Sequence, residues 1–222
     1  MLISCVTMAQ EKEHMKFMGI PINGTELQFE TKLKSKGFVR KSRINENVLE
    51  MVGKFAGSKV EVYIVSTNNL VWKILVDYPE ESTFSSLSSF YDDMVEQFKI
   101  KYGIPSDHFE FFSKPYYKGD GYELQALKLE KCTYASYWET STGIISVSLT
   151  KYANLRIVYE DAVGVAKKHE TNEKQIQNVV LQSCSLKEKC DRLVDEAIEN
   201  GSRDNISIAL IEIEGRDLSE LE

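Results

Sequence analysis

Few residues in this chain are of a type and spacing that could do chemistry. Gly201-Ser202-Arg203-Asp204-Asn205 lies between a helix-like run and a strand-like run and sets one carboxylate, Asp204, on a tight turn. Such a carboxylate is a candidate ligand for Mg²⁺ or Mn²⁺, hard cations that take about six oxygen ligands. A two-metal centre for phosphoryl transfer needs carboxylates converging from several strands, and one aspartate does not supply them. Gly119-Asp120-Gly121 is a second acidic turn, but it lacks flanking sheet hydrophobics and a histidine, and it reads as a turn only. His14, His108 and His169 are scattered, and Cys5, Cys132, Cys184 and Cys190 form no C-x-x-C pair, so no zinc spacing is present. The cysteines form no disulfide framework either. Free buried thiols are expected, although Cys184 and Cys190 are near enough in sequence to meet. Neither the G-x-S-x-G nucleophile turn nor the phosphate-binding G-x-x-x-x-G-K occurs.

Composition narrows the function class further. The chain has 222 residues, 42% hydrophobic and 27% charged, which suits one globular domain plus a short appendage. Its net charge of -7 argues against nucleic-acid binding, which needs clustered Lys and Arg to neutralise phosphates. The one basic stretch, Lys32, Lys34, Lys36, Arg40, Lys41 and Arg43, reads as a solvated helix face. No segment approaches the ~20 apolar residues of a membrane span. At the N-terminus, Leu2 to Met8 is apolar and runs into Ala9-Gln10 and the charged Glu11-Lys12-Glu13. That is the shape of a truncated export signal over residues 1–13, without its basic start, and Leu2-Ile3-Ser4-Cys5 resembles a lipobox. An ordinary frayed terminus is the alternative. An export signal places the protein in the periplasm or outside the cell; without one, the cytoplasm is expected.

The elements that must position these residues are easier to read. Thr25 and Gln28 form a capping box for a helix ended by Gly37, with Phe38 folding back on its last turn. Three strand-like runs follow, Val48–Phe55, Lys59–Val65 and Leu70–Tyr78, in which Val60, Val62 and Ile64 alternate with Glu61 and Tyr63. A second helix over Thr83–Tyr102 carries Phe84, Leu87, Tyr91, Met94, Val95, Phe98 and Tyr102 on one stripe and ends at Gly103. Strands are then expected at His108–Phe112, Tyr122–Leu129, Thr133–Glu139, Gly143–Thr150 and Leu155–Glu160.

The fold expected is α+β: an antiparallel sheet from two helix-plus-meander units, both helices on one face, with a helix-strand appendage at the C-terminus. The first domain spans residues 14–165. A polar linker or weak helix occupies 166–177, and a separate fragment 178–222. A sheet covered on one side leaves its other side for a protein partner. Tyr134, Tyr137 and Trp138, with Tyr116 and Tyr117, are candidate anchors there, the alternative being that they are simply strand formers.

Within the fragment, Ser185 and Glu188 form a capping box, and Leu186, Cys190, Leu193, Val194, Ala197 and Ile198 make a helical stripe. Gly201 caps that helix, and Asn205–Ile213 alternates as a strand. This helix, the Gly-x-x-Asp-Asn turn of Gly201, Asp204 and Asn205, and the Ile206-Ser207 strand resemble the last motif of the PPM-type metal-dependent protein phosphatases (protein phosphatase 2C). The likeness covers Ile176 to Ile213. It implies that Asp204 stands where the family has a metal ligand, here vestigial. The family's other segments (an early Arg with Glu-Asp, Asp-Gly-His-Gly, and Ser-Asp-Gly) do not occur. Separately, Lys16 to Ile22, the Gly37-Phe38 helix end and Ile157-Val158-Tyr159-Glu160-Asp161 resemble small exported Bacteroidetes proteins of unknown function. Two resemblances meeting near residue 170 suggest a chimera. The expectation is a non-catalytic interaction module with an unknown protein partner, no cofactor, no nucleic acid and no membrane span. The alternative is a degenerate or split PPM-type serine/threonine phosphatase using Mg²⁺ or Mn²⁺.

Overall fold

The computed structural model describes residues 13–199 and 207–210. The chain divides into two compact units, Met1–Ala166 and Lys167–Glu222.

The first unit opens with a small hairpin, β1 (Lys16–Phe17) and β2 (Ile20–Pro21), followed by α1 (Glu26–Lys34). Thr25 caps α1: its hydroxyl accepts the Gln28 N–H while the Gln28 side chain accepts the Thr25 N–H, the reciprocal capping box expected. The chain then leaves through Gly37 so that Phe38 packs back, its N–H donating to the Leu33 carbonyl. Four strands follow: β3 (Val39–Asn45), β4 (Val48–Phe55), β5 (Ser58–Thr67) and β6 (Leu70–Asp77). The second half repeats the plan with α2 (Phe84–Tyr102), β7 (Asp107–Phe112), β8 (Cys132–Thr140), β9 (Gly143–Leu149) and β10 (Leu155–Asp161). A short helix α3 (Glu123–Lys128) interrupts it between β7 and β8.

All eight long strands form one antiparallel sheet in the order β3-β4-β5-β6-β10-β9-β8-β7. Each meander runs inward from an edge, and their last strands, β6 and β10, pair at the centre, with Ile157 opposite Val76 and Tyr159 opposite Ile74. Alternation does the rest. Val60, Val62 and Ile64 of β5, Ile157 and Tyr159 of β10, and Tyr134 and Trp138 of β8 turn to one face. There they share a single core with Phe29 and Leu33 of α1 and with Leu87, Tyr91, Met94, Val95 and Phe98 of α2. Both helices thus cover the same face. Gly53 is needed where this core is tightest, since a Cβ there would lie 2.4 Å from the Phe38 ring.

Two expectations are corrected. Tyr122–Leu129 is not a strand: Glu-Leu-Gln-Ala-Leu-Lys is a run of strong helix formers. Asp120 organises the turn before it by accepting the Tyr117 and Tyr122 N–H groups, so Gly119-Asp120-Gly121 is indeed a turn. The basic stretch is not a solvated helix face either. Lys32 and Lys34 lie on α1, but Arg40, Lys41 and Arg43 lie on β3, and Arg40, Lys41, Arg43 and Lys34 serve buried carboxylates. Arg40 and Lys34 clamp Glu30, Arg43 pairs with Glu26, and Lys41 bridges Glu50 and Glu61 at 2.8 and 2.5 Å.

The hydrogen bond from Arg40, working against burial and helped by Lys34, holds the Glu30 carboxyl down to about 2 from an ordinary 4.5. A carboxylate whose pKa is lower folded than unfolded adds stability above the unfolded value and loses it as pH falls through the folded one. The unfolding free energy is therefore expected to decline between pH about 4.5 and about 2. Glu30→Gln should flatten that decline by up to about 3 kcal/mol. Urea unfolding of both proteins across that range checks it, and parallel pH profiles would refute it.

The second unit contains most of α4 (Ala162–Val180) and all of α5 (Leu186–Glu199). The stretch 166–177 lies within α4. Ser185 caps α5, its hydroxyl accepting the Glu188 N–H while Glu188 accepts the Ser185 N–H. Of the expected strand Asn205–Ile213, residues 207–210 form no strand and the rest lies outside the described residues. The export-signal reading of residues 1–13 also falls outside them, apart from Glu13. Among the described residues, no helix is long and apolar enough to cross a membrane.

Candidate functional site

The motif residues Gly201, Asp204 and Asn205 lie outside the described residues. Among those described, no group of three or more His, Cys, Asp or Glu side chains is placed to hold a metal ion. The buried carboxylates Glu26, Glu30 and Glu50 are occupied by arginines and lysines instead. The described donors therefore do not fit a two-metal cage. Cys132, Cys184 and Cys190 are free, and burial pushes the Cys132 thiol up to about 12, which leaves it inert as a nucleophile.

The three aromatic anchors expected on a partner face separate. Tyr134 and Trp138 are 2% and 1% exposed and belong to the core under α2, whereas Tyr137 is 37% exposed on the opposite face. The correction follows from the two-residue period of a strand: residues 134, 136 and 138 turn together, away from 137. Trp138 sits 5.4 Å from the Phe98 ring and donates its Nε1–H to the Gly103 carbonyl at 2.9 Å. Tyr116 packs against the core margin, and Tyr117 is exposed.

Register brings together residues that looked unrelated in sequence. His108 of β7 faces Ser136 of β8, with Nδ1 2.8 Å from the serine Oγ. The Tyr91 hydroxyl of α2 reaches the same Oγ at 2.7 Å, and Glu110 lies 3.5 Å from His108 Nε2. If the Tyr91 hydroxyl donates to Ser136 and Ser136 donates to Nδ1, His108 is left as the tautomer whose Nε2–H points at Glu110. The order Ser–His–Glu is that of a hydrolase triad, but acyl transfer needs an exposed nucleophile. Ser136 is 0% exposed, and its oxygen is engaged from two sides. Burial holds the Tyr91 hydroxyl up at about 12, so it stays protonated as a donor. The group acts as a strut between α2 and the β7 edge.

One end of the sheet carries a cleft of about 490 Å³ lined by His14, Lys16, Lys101, Tyr102, Thr140 and Thr142. Its basic side chains are already engaged. His14 pairs with Asp161, Lys16 with Glu13, and Lys101 lies over the Tyr102 ring.

The face of the sheet opposite the helices is the other extended surface. Two rows cross it in register. The first runs Glu50, Tyr63, Leu75, Val158, Ser146, Tyr137, and the second Val52, Glu61, Asp77, Arg156, Ser148, Ala135, Phe109. Arg156 grips Asp77 with two bonds of 2.6 Å, and the Tyr63 hydroxyl donates to Glu61 at 3.0 Å. The charges are therefore paired within the face, leaving Leu75, Val158 and Tyr137 as its unpolarised centre. Compared with known family models, curated proteins and solved structures, the chain matches none.

Proposed function

We propose that the first unit is a non-catalytic protein-interaction module whose partner docks on the sheet face opposite α1 and α2, along Tyr63, Leu75, Val158 and Tyr137. The observation that carries the reading is that, among the described residues of the first unit, both α1 and α2 pack into a single core on one face of an eight-stranded sheet. An aromatic such as Tyr137, beside apolar centres and ringed by ion pairs that already have partners, suits the desolvated middle and polar rim of an interface.

The test compares proteins retained from an extract of the source organism by the immobilised chain and by a Val158→Arg, Tyr137→Ser variant, after circular dichroism shows both folded. At least one retained protein should fall by about tenfold or more, the loss expected when an interface centre is disrupted. Equal retention of every protein would sink the reading. A parallel assay addresses the phosphatase alternative. No turnover of p-nitrophenyl phosphate with Mn²⁺ is expected above background. A rate lost both with chelator and in Asp204→Ala would replace the interaction reading with that enzyme.

A further inference from the structure

The two edges of the sheet are built differently. At β3, pairing with β4 is broken by register shifts between Arg40 and Ser42 and between Arg43 and Asn45, and its charged side chains are tied into ion pairs. Bulges and charges of this kind are how natural proteins stop a sheet edge from recruiting another strand. At β7 the ladder has no such break, and its charges are held only at long range, Glu110 lying 3.5 Å from His108 and 3.8 Å from Lys118. Asp107 to Phe112 pair with β8 residue for residue without a shift, and Phe109 and Phe111 are 43% and 50% exposed.

The direction of the free backbone groups follows from the ladder. The Ser113 N–H donates to the Lys131 carbonyl at 2.7 Å. In an antiparallel pair the bonded positions alternate, so Phe111, Phe109 and Asp107 turn their polar groups toward β8. His108, Glu110 and Phe112 turn theirs outward, where no described strand meets them.

We infer that this edge is a self-association site, at which β7 of a second copy of this chain adds antiparallel and continues the sheet. A two-fold axis perpendicular to the sheet keeps the helices of both copies on one side. It also requires the outward-facing positions to meet one another. Centred on Glu110, that pairing sets carboxylate against carboxylate, and centred on His108 it sets imidazole against imidazole. Centred on Phe109, it sets His108 opposite Glu110 of the second copy, and Glu110 opposite His108 of the second copy. Opposite charges or donor–acceptor pairs directly across a ladder favour pairing, and like charges oppose it.

The Tyr91–Ser136–His108 strut fixes the imidazole through Nδ1 and leaves Nε2 3.5 Å from Glu110 of its own strand, so both groups stand together at the seam. In this register about four new backbone hydrogen bonds form around the axis. On the open face the two Phe109 rings meet at the two-fold, each flanked by its own Tyr137 at 6.2 Å. The seam is small, so the dimer is weak, with a dissociation constant on the order of 10–100 µM. The inference does not depend on partner docking at Val158 and stands or falls separately.

Phe109 lies on the axis at a position where opposed Cα atoms come within about 4.5 Å, inside disulfide reach. In a chain with Cys5, Cys184 and Cys190 replaced by serine, Phe109→Cys should give a covalent dimer under oxidised glutathione. Glu110→Cys and Phe111→Cys should do so at least about tenfold more slowly. Sedimentation equilibrium of the unmodified chain should show dimer at about 100 µM, and Phe109→Lys, an exposed change that leaves the core intact, should be monomeric. A monomer in the unmodified chain at that concentration would leave the edge to some other strand and overturn the inference. So would cross-linking at all three positions alike, or a dimer indifferent to Phe109→Lys.

Discussion

Trp138→Ala is expected to lower the unfolding free energy of the first unit by about 3–5 kcal/mol, the range for truncating a fully buried large aromatic. The indole is among the largest fully buried side chains, tilted against Phe98 at 5.4 Å. Alanine would leave a cavity between β8 and the last turns of α2, where the surrounding backbone is held in a ladder and cannot collapse inward. It would also remove the donor to the Gly103 carbonyl at the helix terminus. The neighbouring substitution is the control. Tyr137→Ala removes a smaller, part-exposed ring from the opposite face, where it meets the Phe109 ring, and should cost about 1 kcal/mol. Urea unfolding followed by circular dichroism measures both. Equal effects at 137 and 138 would mean that the helices do not cover the face assigned to them.

That contrast also shows where sequence reading reaches its limit. Tyr134, Tyr137 and Trp138 are all good strand formers, and the period of two says that 137 parts from the others. It does not say which set is buried, because both sets are aromatic. The answer comes from α2, which packs on β9 and β10 and so fixes the buried face of β8 from outside the strand.

Helices α1 and α2 were legible because their ends carry local chemistry: Thr25 with Gln28 at one start, Thr83 at the other, and Gly37 and Gly103 at the stops. Strand β3 was hidden because Arg40, Lys41 and Arg43 give it no apolar alternation. Their partners Glu26, Glu30 and Glu50 become visible only once α1 and β4 are in place. Helix α3 was hidden because Tyr122, Leu124 and Ala126 alternate as in a strand, while only Leu124 and Leu127 mark the helical period in so short a run. The central β6–β10 pairing, with Asp77 opposite Arg156, joins residues nearly eighty positions apart, and no local signal encodes it. The Tyr91–Ser136–His108 group was illegible for the same reason: each member looks ordinary until register brings all three to one oxygen.

Asp161→Ala is expected to cost about 3–4 kcal/mol through a single carboxylate that does three jobs. Asp161 is fully buried at the end of the central strand β10. Its Oδ2 accepts the Gly164 N–H at 2.7 Å, capping the first turn of α4, and also meets His14 Nδ1 at 2.9 Å. Its Oδ1 accepts the Met15 N–H at 2.8 Å, fastening the chain that forms the β1–β2 hairpin. Loss of a cap costs about 1 kcal/mol, and orphaning a buried donor that served a charged acceptor costs a further 1–3. Asp161→Asn keeps an acceptor for Met15 but puts an amide where Gly164 needs an oxygen, so it should fall about midway.

The effect should also be local before it is global. Met15, Phe17, Ile20 and Ile22 close the end of the core, and the Ile22 N–H donates to the Met15 carbonyl at 2.7 Å. When the tether is cut, this flap can open without unfolding the sheet. Amide exchange at Met15 and Ile22 should accelerate about a hundredfold or more, beyond any change at Val62 or Ile64 in β5, as sub-global opening predicts. Uniform acceleration across the sheet would show instead that Asp161 stabilises the fold as a whole and that the hairpin is held by its apolar contacts alone.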